Sequence, residues 1–287
     1  MKKIAVLGAG IMGAGIAQVA AQAGFEVILR DLQISLVNDG MKTIADNLNK
    51  LVARGSLEAK EIPGILSHLH GTIDLAELKD VDLVIEAVVE NVAVKRQIFA
   101  ELDNICPAHT ILATNTSSLS ITEIAASTRR PEKVLGIHFL NPVPYIKLVE
   151  LIKGMETSDE TVDIARCFVD SIGKENVLLN RESPGFIVNR ILLPYINEAI
   201  WLYAEGTDIE SIDQAMILGA GMSQGPLQQA DMIGLDNLHA VMLGFYNEFR
   251  DPKYRPHPVF STMVRAGYYG KKTGKGFYTY KKGEGSI

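Results

Sequence analysis

The sequence predicts an α/β protein whose mostly parallel sheet is followed by an all-helical C-terminal domain. In the first half, short apolar runs alternate with helical stretches, which is typical of a sheet built from βαβ units. A glycine-rich turn follows the first of these runs. Beyond residue 184, apolar residues recur at helical spacing and the strand–helix alternation stops.

Six apolar runs have the length and composition of strands: residues 3–7, 26–30, 82–87, 110–114, 134–138 and 147–151. Between the second run and Gly71 the pattern is mostly helical, with one apolar face formed by Leu48, Leu51 and Val52. Pro63 interrupts the segment that follows, so the pattern gives little support for a helix there.

The character of the chain changes at residues 181–185, where we place a domain boundary. Ser183 is a good N-cap and Pro184 a good first helical residue, so a helix is expected from Pro184 to a stop at Gly206. The predicted domains are therefore 1–183, which binds the cofactor, and 184–287, which is helical.

Composition excludes several function classes. The net charge is −6, from 28 basic and 34 acidic residues without a dense basic run, so no nucleic-acid partner is expected. No apolar run reaches the roughly 20 residues that cross a membrane, and no membrane partner is expected. Cys106 and Cys167 cannot form a disulfide framework, and two reduced thiols in a cytoplasmic protein are expected.

Residues 8–13 form a G-x-G-x-x-G turn between a strand and a helix, which is typical of a Rossmann-type dinucleotide-binding domain. Gly8 allows the tight turn, Gly10 lets the backbone approach a pyrophosphate, and Gly13 lets helix and strand pack closely. The helix N-terminus, at Ile11 and Met12, supplies N–H groups and partial positive charge to the phosphates.

Asp31 follows the second predicted strand, about 20 residues beyond the turn. A carboxylate there accepts hydrogen bonds from the adenosine ribose and repels a 2′-phosphate, which favours NAD over NADP. Its neighbour Arg30 leaves NADP as an alternative, because a guanidinium could bind that phosphate.

His138 and Glu150 are the candidate acid–base pair. His138 ends a predicted strand, and ligands of open α/β sheets bind outside the carboxyl ends of strands. Glu150 lies in an apolar strand, where a carboxylate is costly to bury without a partner. A His–Glu pair would remove that cost, although Glu150 could instead lie exposed on an edge strand.

Several separated motifs together resemble the 3-hydroxyacyl-CoA dehydrogenase family, and the similarity runs essentially end to end. The motifs are 114–118 (TNTSS), 136–144 (GIHFLNPVP), 148–150 (LVE), 184–190 (PGFIVNR), 225–227 (GPL) and 275–278 (KGFY). The resemblance implies that His138 acts as general base for oxidation and that Glu150 orients its ring. It also implies that Ser117 and Asn189 hydrogen-bond the reacting oxygen.

For the cofactor, the resemblance implies NAD and adds contacts to those of the glycine turn, from Glu90, Lys95, Asn115, Asn141 and Lys275. Without it, Glu90 and Lys95 are better interpreted as a solvated pair. No site residue is expected to bind a metal.

For the substrate, the resemblance implies that Lys50 and Arg54 meet the phosphates of an acyl-CoA, whereas their spacing alone fits a solvated helix face. It further implies that the helical domain closes the substrate cleft and forms a homodimer. The length favours a monofunctional enzyme, and the resemblance to the compact members of the family implies 3-hydroxybutyryl-CoA as the substrate.

Two alternatives remain at this stage. One is a β-hydroxyacid dehydrogenase of the 3-hydroxyisobutyrate type, a family that has the same glycine turn and a helical tail. The active site of that family differs, because it has a catalytic lysine on the interdomain helix. The sequence has no lysine between Pro184 and Gly206. A nucleotide-binding protein without turnover is the other alternative, since fold alone does not establish catalysis.

Overall fold

A computed structural model describes residues 1–280 of the chain, and these residues form two compact units that divide between Ser183 and Pro184. Residues 281–287, which the sequence analysis assigns to the helical domain, lie outside the described residues. The predicted fold class is confirmed: a mostly parallel sheet with helices is followed by a helical domain.

The first unit contains one sheet with the strand order β3-β2-β1-β4-β5-β6-β7-β8. Neighbouring strands run parallel except β6 and β7, which are antiparallel. The strands are β1 (Lys3–Leu7), β2 (Glu26–Arg30), β3 (Leu69–Thr72), β4 (Leu83–Glu86), β5 (Ile111–Thr114), β6 (Val134–Phe139), β7 (Leu148–Lys153) and β8 (Glu175–Leu179).

Helices connect these strands and cover the sheet, because parallel neighbours need crossover connections. They are α1 (Ile11–Gln22), α2 (Ile34–Ala53), α3 (Ile62–Ser67), α4 (Val92–Ile105), α5 (Ile121–Ala125) and α6 (Asp159–Ser171). The main core consists of inward-facing strand residues packed on α1, α2 and α6. Pro63 lies in the first turn of α3, a position that tolerates proline, so it does not prevent that helix.

The sequence analysis found the six inner strands and missed β3 and β8, which are the two edges of the sheet. Leu69–Thr72 contains a histidine and a glycine, and Glu175–Leu179 is partly exposed along its length. Edge strands bury less surface than central ones, so they do not need the continuous apolar run by which the inner strands are recognised.

The second unit is helical, with α7 (Val188–Ala204), α8 (Ile209–Ala220), α9 (Pro226–Ile233), α10 (Leu235–Phe249) and α11 (Pro258–Arg265). Its own core is formed by buried side chains that include Leu193, Ile196, Ile200, Leu227, Met242 and Phe245.

The predicted helix start at Pro184 is wrong, because α7 begins at Val188. Gly185 has a φ of +79° and Phe186 a φ of +53°, and two successive left-handed residues cannot continue a right-handed helix. A Cβ on Gly185 would lie 2.0 Å from the ring of Phe245, so the turn requires glycine.

Across residues 1–280, no helix has both the length and the apolar character needed to cross a membrane.

Asp103 is a buried charged group that fastens the last turn of α4 to the chain ahead of β6. Its carboxylate accepts hydrogen bonds from Nε of Arg129 and from Nε of Arg130, each at 2.7 Å. Burial by itself would raise the pKa of Asp103, but the hydrogen bonds from the two arginines outweigh it and hold the pKa below its usual value.

We expect Asp103→Asn to lower the free energy of unfolding by about 2–3 kcal/mol at neutral pH, because it leaves a partly buried arginine without its counter-charge. The folded-state pKa of Asp103 is lowered, so its stabilisation is complete above about pH 4 and is lost as the pH falls through the folded pKa. Urea unfolding of both proteins from pH 8 to pH 3 measures the difference. A difference that grows on acidification would contradict this assignment.

Candidate active site

The turn between β1 and α1 holds the three glycines of the predicted cofactor loop. Gly8 has a φ of +96°, and a Cβ there would lie 2.5 Å from the carbonyl oxygen of Ala87. A Cβ on Gly13 would lie 1.7 Å from the carbonyl oxygen of Gly8. A Cβ on Gly10, by contrast, would meet no atom of the described residues within 4 Å. Packing thus requires Gly8 and Gly13, while Gly10 leaves open space that fits a closely bound pyrophosphate.

Helix α1 begins directly after Gly10, with Ile11 as its first residue. Ile11 is exposed and Met12 is half-buried, so the start of the helix is accessible. The first N–H groups of a helix lack intrahelical acceptors and carry partial positive charge. This end of α1 therefore fits a phosphate ligand.

Asp31 follows β2 and contacts the same turn. Its carboxylate accepts a hydrogen bond from the Ala9 N–H at 2.7 Å and one from the Leu32 N–H at 2.6 Å. The guanidinium of Arg30 instead donates from Nε to the carbonyl oxygen of Ile73 at 3.2 Å. A carboxylate rather than a guanidinium thus lies against the turn, as NAD requires.

His138 and Glu150 form a buried pair. The antiparallel register of β6 and β7 places them directly opposite each other, and Nδ1 of His138 lies 2.7 Å from Oε2 of Glu150. Glu150 is fully buried, so it is not an exposed edge-strand residue. An ionised carboxylate can only accept hydrogen bonds, so it favours the tautomer that carries its proton on Nδ1.

The segment after β5 carries Asn115 and Ser117. The Asn115 N–H donates to the carbonyl oxygen of Glu86 at 2.7 Å, and its Oδ1 accepts from the Phe139 N–H at 2.8 Å. Asn115 therefore links the ends of β4, β5 and β6 next to His138. Ser117 is half-buried, and its N–H donates to Oε1 of Glu90 at 3.1 Å.

Lys95 is buried rather than solvated, so the interpretation of Glu90 and Lys95 as a solvated pair is wrong. Its ammonium lies 2.6 Å from Oε1 of Glu86 and 3.4 Å from Oε2 of Glu90. The side chain of Glu90 remains 39% exposed, and this leaves it accessible to a ligand.

Glu86 is a residue that the sequence analysis missed. It is a carboxylate at the end of the apolar strand β4 and is fully buried, as Glu150 is in β7. The same argument, that a carboxylate in an apolar strand needs a partner, would have identified it.

Most of the predicted cofactor residues of the first unit lie together at the carboxyl ends of the parallel strands. The carboxyl ends of β1, β4 and β5 are in register, with Leu7 opposite Glu86 and Glu86 opposite Thr114, and His138 lies near the end of β6. Asn141 is exposed in the loop that follows β6. Ligands of open parallel sheets bind outside the carboxyl ends of the strands, where these residues lie.

The predicted acyl-CoA residues lie at the end of α2. Lys50 is in its last turn and Arg54 is its C-cap, and both are exposed. The guanidinium of Arg54 lies 5.2 Å from the centre of the Tyr145 ring, a cation–π contact.

Two predicted site residues belong to the second unit. Asn189 is in the first turn of α7. Lys275 pairs its backbone with Gly270 and Thr279, and its ammonium lies 4.0 Å from the centre of the Tyr268 ring. Within the described part of the chain, no group of three or more His, Cys, Asp or Glu residues is arranged to hold a metal ion.

Comparison with known families places both parts of the chain in one family. Residues 3–183 match the NAD binding domain of 3-hydroxyacyl-CoA dehydrogenases, and residues 185–280 match the C-terminal domain of the same enzymes. Together these matches span nearly the whole chain.

Individual relatives agree with this match. The chain is 50% identical to a 3-hydroxybutyryl-CoA dehydrogenase of Clostridioides difficile, over 98% of this chain and 100% of the relative. It is 46% identical to a probable 3-hydroxybutyryl-CoA dehydrogenase of Bacillus subtilis, over 98% of each chain. Among solved structures, the (S)-3-hydroxybutyryl-CoA dehydrogenase of Ralstonia eutropha has a TM-score of 0.93 at 44% identity, covering 98% of this chain and all of the other.

We expect Gly10→Ala to weaken NADH binding about tenfold or more, because its methyl group enters the space left open for the pyrophosphate. The free energy of unfolding of the Gly10→Ala variant should differ from that of the natural protein by less than about 1 kcal/mol. Gly13→Ala is the matched control: it places the same methyl group against the Gly8 carbonyl and should cost about 2 kcal/mol of stability. Fluorescence titration with NADH and urea unfolding measure the two effects. Unchanged NADH affinity in Gly10→Ala would remove the role given to that space.

Proposed function

The chain belongs to the 3-hydroxyacyl-CoA dehydrogenase family and is an NAD-dependent oxidoreductase, and we propose that His138 and Glu150 supply its acid–base chemistry. The reaction interconverts an (S)-3-hydroxyacyl-CoA and the 3-ketoacyl-CoA. The relatives named as 3-hydroxybutyryl-CoA dehydrogenases support 3-hydroxybutyryl-CoA and acetoacetyl-CoA as the substrate pair. The observation that carries the mechanism is the buried contact of 2.7 Å between the two side chains.

His138 moves the proton of the reacting hydroxyl. Its Nδ1 faces Glu150, so Nε2 is the nitrogen that accepts the proton during oxidation and returns it during reduction. The Glu150 carboxylate fixes the tautomer and stabilises the imidazolium that forms. The same imidazole serves both directions, because it takes up the proton in oxidation and returns it in reduction.

When bound, the oxidised cofactor NAD⁺ would accept the hydride in oxidation, and NADH would donate it in reduction. The residues that hold it are the glycine turn, the N–H groups at the start of α1 and the Asp31 carboxylate, which accepts hydrogen bonds from the ribose hydroxyls. Glu90, Asn115 and Asn141 follow β4, β5 and β6, respectively, and complete the site in the first unit. Lys95 is buried and acts on this site through its contact with Glu90. Lys275 contributes from the second unit.

For the substrate, Ser117 and Asn189 donate hydrogen bonds to the reacting oxygen, and Lys50 and Arg54 bind the CoA phosphates. The cation–π contact with Tyr145 supports the role of Arg54, because it restricts a long side chain that would otherwise lose more entropy on binding.

Each unit has its own main task in the proposed enzyme. Residues 1–183 provide most of the NAD contacts, whereas residues 184–287 provide Asn189 and Lys275 and form a homodimer. Exposed apolar side chains of the second unit support the dimer, among them Ile191, Leu202, Leu218 and Met222. Light scattering on the purified protein measures the oligomer, and a monomer at micromolar concentration would contradict this part.

We also propose that the enzyme works in the cytoplasm. Cys106 and Cys167 are both free, which is usual for proteins of a reducing compartment. Fractionation of the source cells tests this location, and recovery from an extracytoplasmic fraction would contradict it.

The reaction itself is tested by mixing the purified protein with acetoacetyl-CoA and following the loss of NADH absorbance. We expect rapid oxidation that requires the CoA moiety and is much slower with NADPH, because the Asp31 carboxylate repels a 2′-phosphate. Free acetoacetate is the control substrate. A folded protein that binds NADH but does not oxidise it with acetoacetyl-CoA would contradict the proposed substrate pair.

Glu150→Gln should lower kcat by about 10²-fold or more, because an amide cannot stabilise the imidazolium as a carboxylate does. The affinity for NADH should remain within about twofold, since the proposal assigns cofactor binding to other residues, chiefly the glycine turn and Asp31. Glu175→Gln, on the exposed start of β8, is a matched control and should retain full turnover. Unchanged kcat in Glu150→Gln would exclude Glu150 from the acid–base pair.

A further inference from the structure

Glu86 is a buried carboxylate whose donors fix it in one position. Its Oε1 accepts hydrogen bonds from the Val88 N–H at 2.7 Å and from the ammonium of Lys95 at 2.6 Å. Its Oε2 accepts one from the hydroxyl of Thr114 at 2.8 Å. Both oxygens are thus occupied by protein groups, and the fully buried side chain cannot also contact a ligand.

Lys95 transmits this fixed position to Glu90. Its ammonium lies between the two carboxylates, 2.6 Å from Glu86 and 3.4 Å from Oε2 of Glu90. A buried ammonium is costly unless it is paired, so the position of Glu86 determines where the charge of Lys95 rests. Glu90 is the more exposed of the two carboxylates.

Oε1 of Glu90 holds the segment that carries Ser117. It accepts hydrogen bonds from the Thr116 hydroxyl, from the Ser117 N–H at 3.1 Å and from the Ser118 hydroxyl at 3.2 Å. Three consecutive residues therefore depend on the position of one carboxylate oxygen.

We infer that Glu86 is a positioning residue for Ser117, acting through Lys95 and Glu90. The inference rests on the proposed function, in which the Ser117 hydroxyl contacts the reacting oxygen. If Glu86 is neutralised, Lys95 loses its principal counter-charge and moves toward Glu90. The oxygen that orients residues 116–118 then shifts, and the Ser117 hydroxyl leaves its place. Active-site groups that are displaced by about 1 Å can lose on the order of 10²-fold in rate.

The test is a double-mutant cycle between Glu86→Gln and Ser117→Ala, assayed with acetoacetyl-CoA at saturating NADH. We expect Glu86→Gln to lower kcat/KM about tenfold in the natural background and less than about twofold when Ser117 is already alanine. A residue that acts only through overall stability would cause the same loss in both backgrounds. The same loss in both backgrounds, or none in the first, would overturn the inference.

The assay also separates this role from cofactor binding and from a failed substrate assignment. If Glu86→Gln raises only the KM for NADH and leaves kcat/KM for acetoacetyl-CoA unchanged, Glu86 acts on the cofactor and the inference is wrong. If the unmutated protein shows no turnover, it is the proposed substrate pair that fails. Asp103→Asn, which neutralises a buried carboxylate at the far end of α4, is the matched control and should leave kcat/KM unchanged.

A second variant keeps the test decisive if Glu86→Gln does not fold. Thr116→Val removes a donor from Oε1 of Glu90, and the acceptor of the Ser118 and Leu119 N–H groups, without altering a buried charge. It should show the same dependence on Ser117 as Glu86→Gln, whereas Thr116→Ser, which keeps the hydroxyl, should restore most of the activity. Equal losses in both Ser117 backgrounds would overturn the inference here as well.

Discussion

The antiparallel pairing of β6 with β7 is the constraint on which the proposed chemistry depends. Residues directly opposite each other in an antiparallel pair have their Cβ atoms about 4.5–5.5 Å apart, and the register places Glu150 opposite His138. If a crossover helix joined the two strands, β7 would run parallel to β6. The C-terminal end of β7, and not the N-terminal half that contains Glu150, would then lie beside the end of β6. The short loop between β6 and β7 therefore brings His138 and Glu150 together. Their contact offsets the free-energy cost of burying the Glu150 carboxylate completely.

A second buried carboxylate of the site also has a partner that can carry the opposite charge. β4 also ends in a buried carboxylate, Glu86, whose partner is an ammonium from α4. Replacing a buried ion pair by apolar residues is often neutral or stabilising, so such a pair is weak evidence for stability alone. In the present site it connects, through Glu90, to the segment that carries Ser117, which gives the charged groups a use beyond packing.

The glycine turn shows how packing and ligand binding divide one motif. Gly8 and Gly13 are required by neighbouring carbonyl groups of the protein, whereas Gly10 faces open space. Asp31 and Arg30 differ in a similar way, since the carboxylate lies on the turn and the guanidinium is hydrogen-bonded to Ile73. The alternative of an NADP enzyme, which the sequence left open, therefore loses its structural support.

The sequence by itself determined the fold class, the family and the inner strands, because buried parallel strands need continuous apolar runs and the glycine turn has a fixed spacing. It could not determine the edge strands β3 and β8, which bury less surface, or the start of α7, which depends on the contact of Gly185 with Phe245. Nor could it decide whether Lys95 was solvated, because its partner Glu86 lies nine positions earlier in the chain, on another element. Burial and charge pairing belong to the tertiary structure, since they depend on which elements meet and not on the order of the residues.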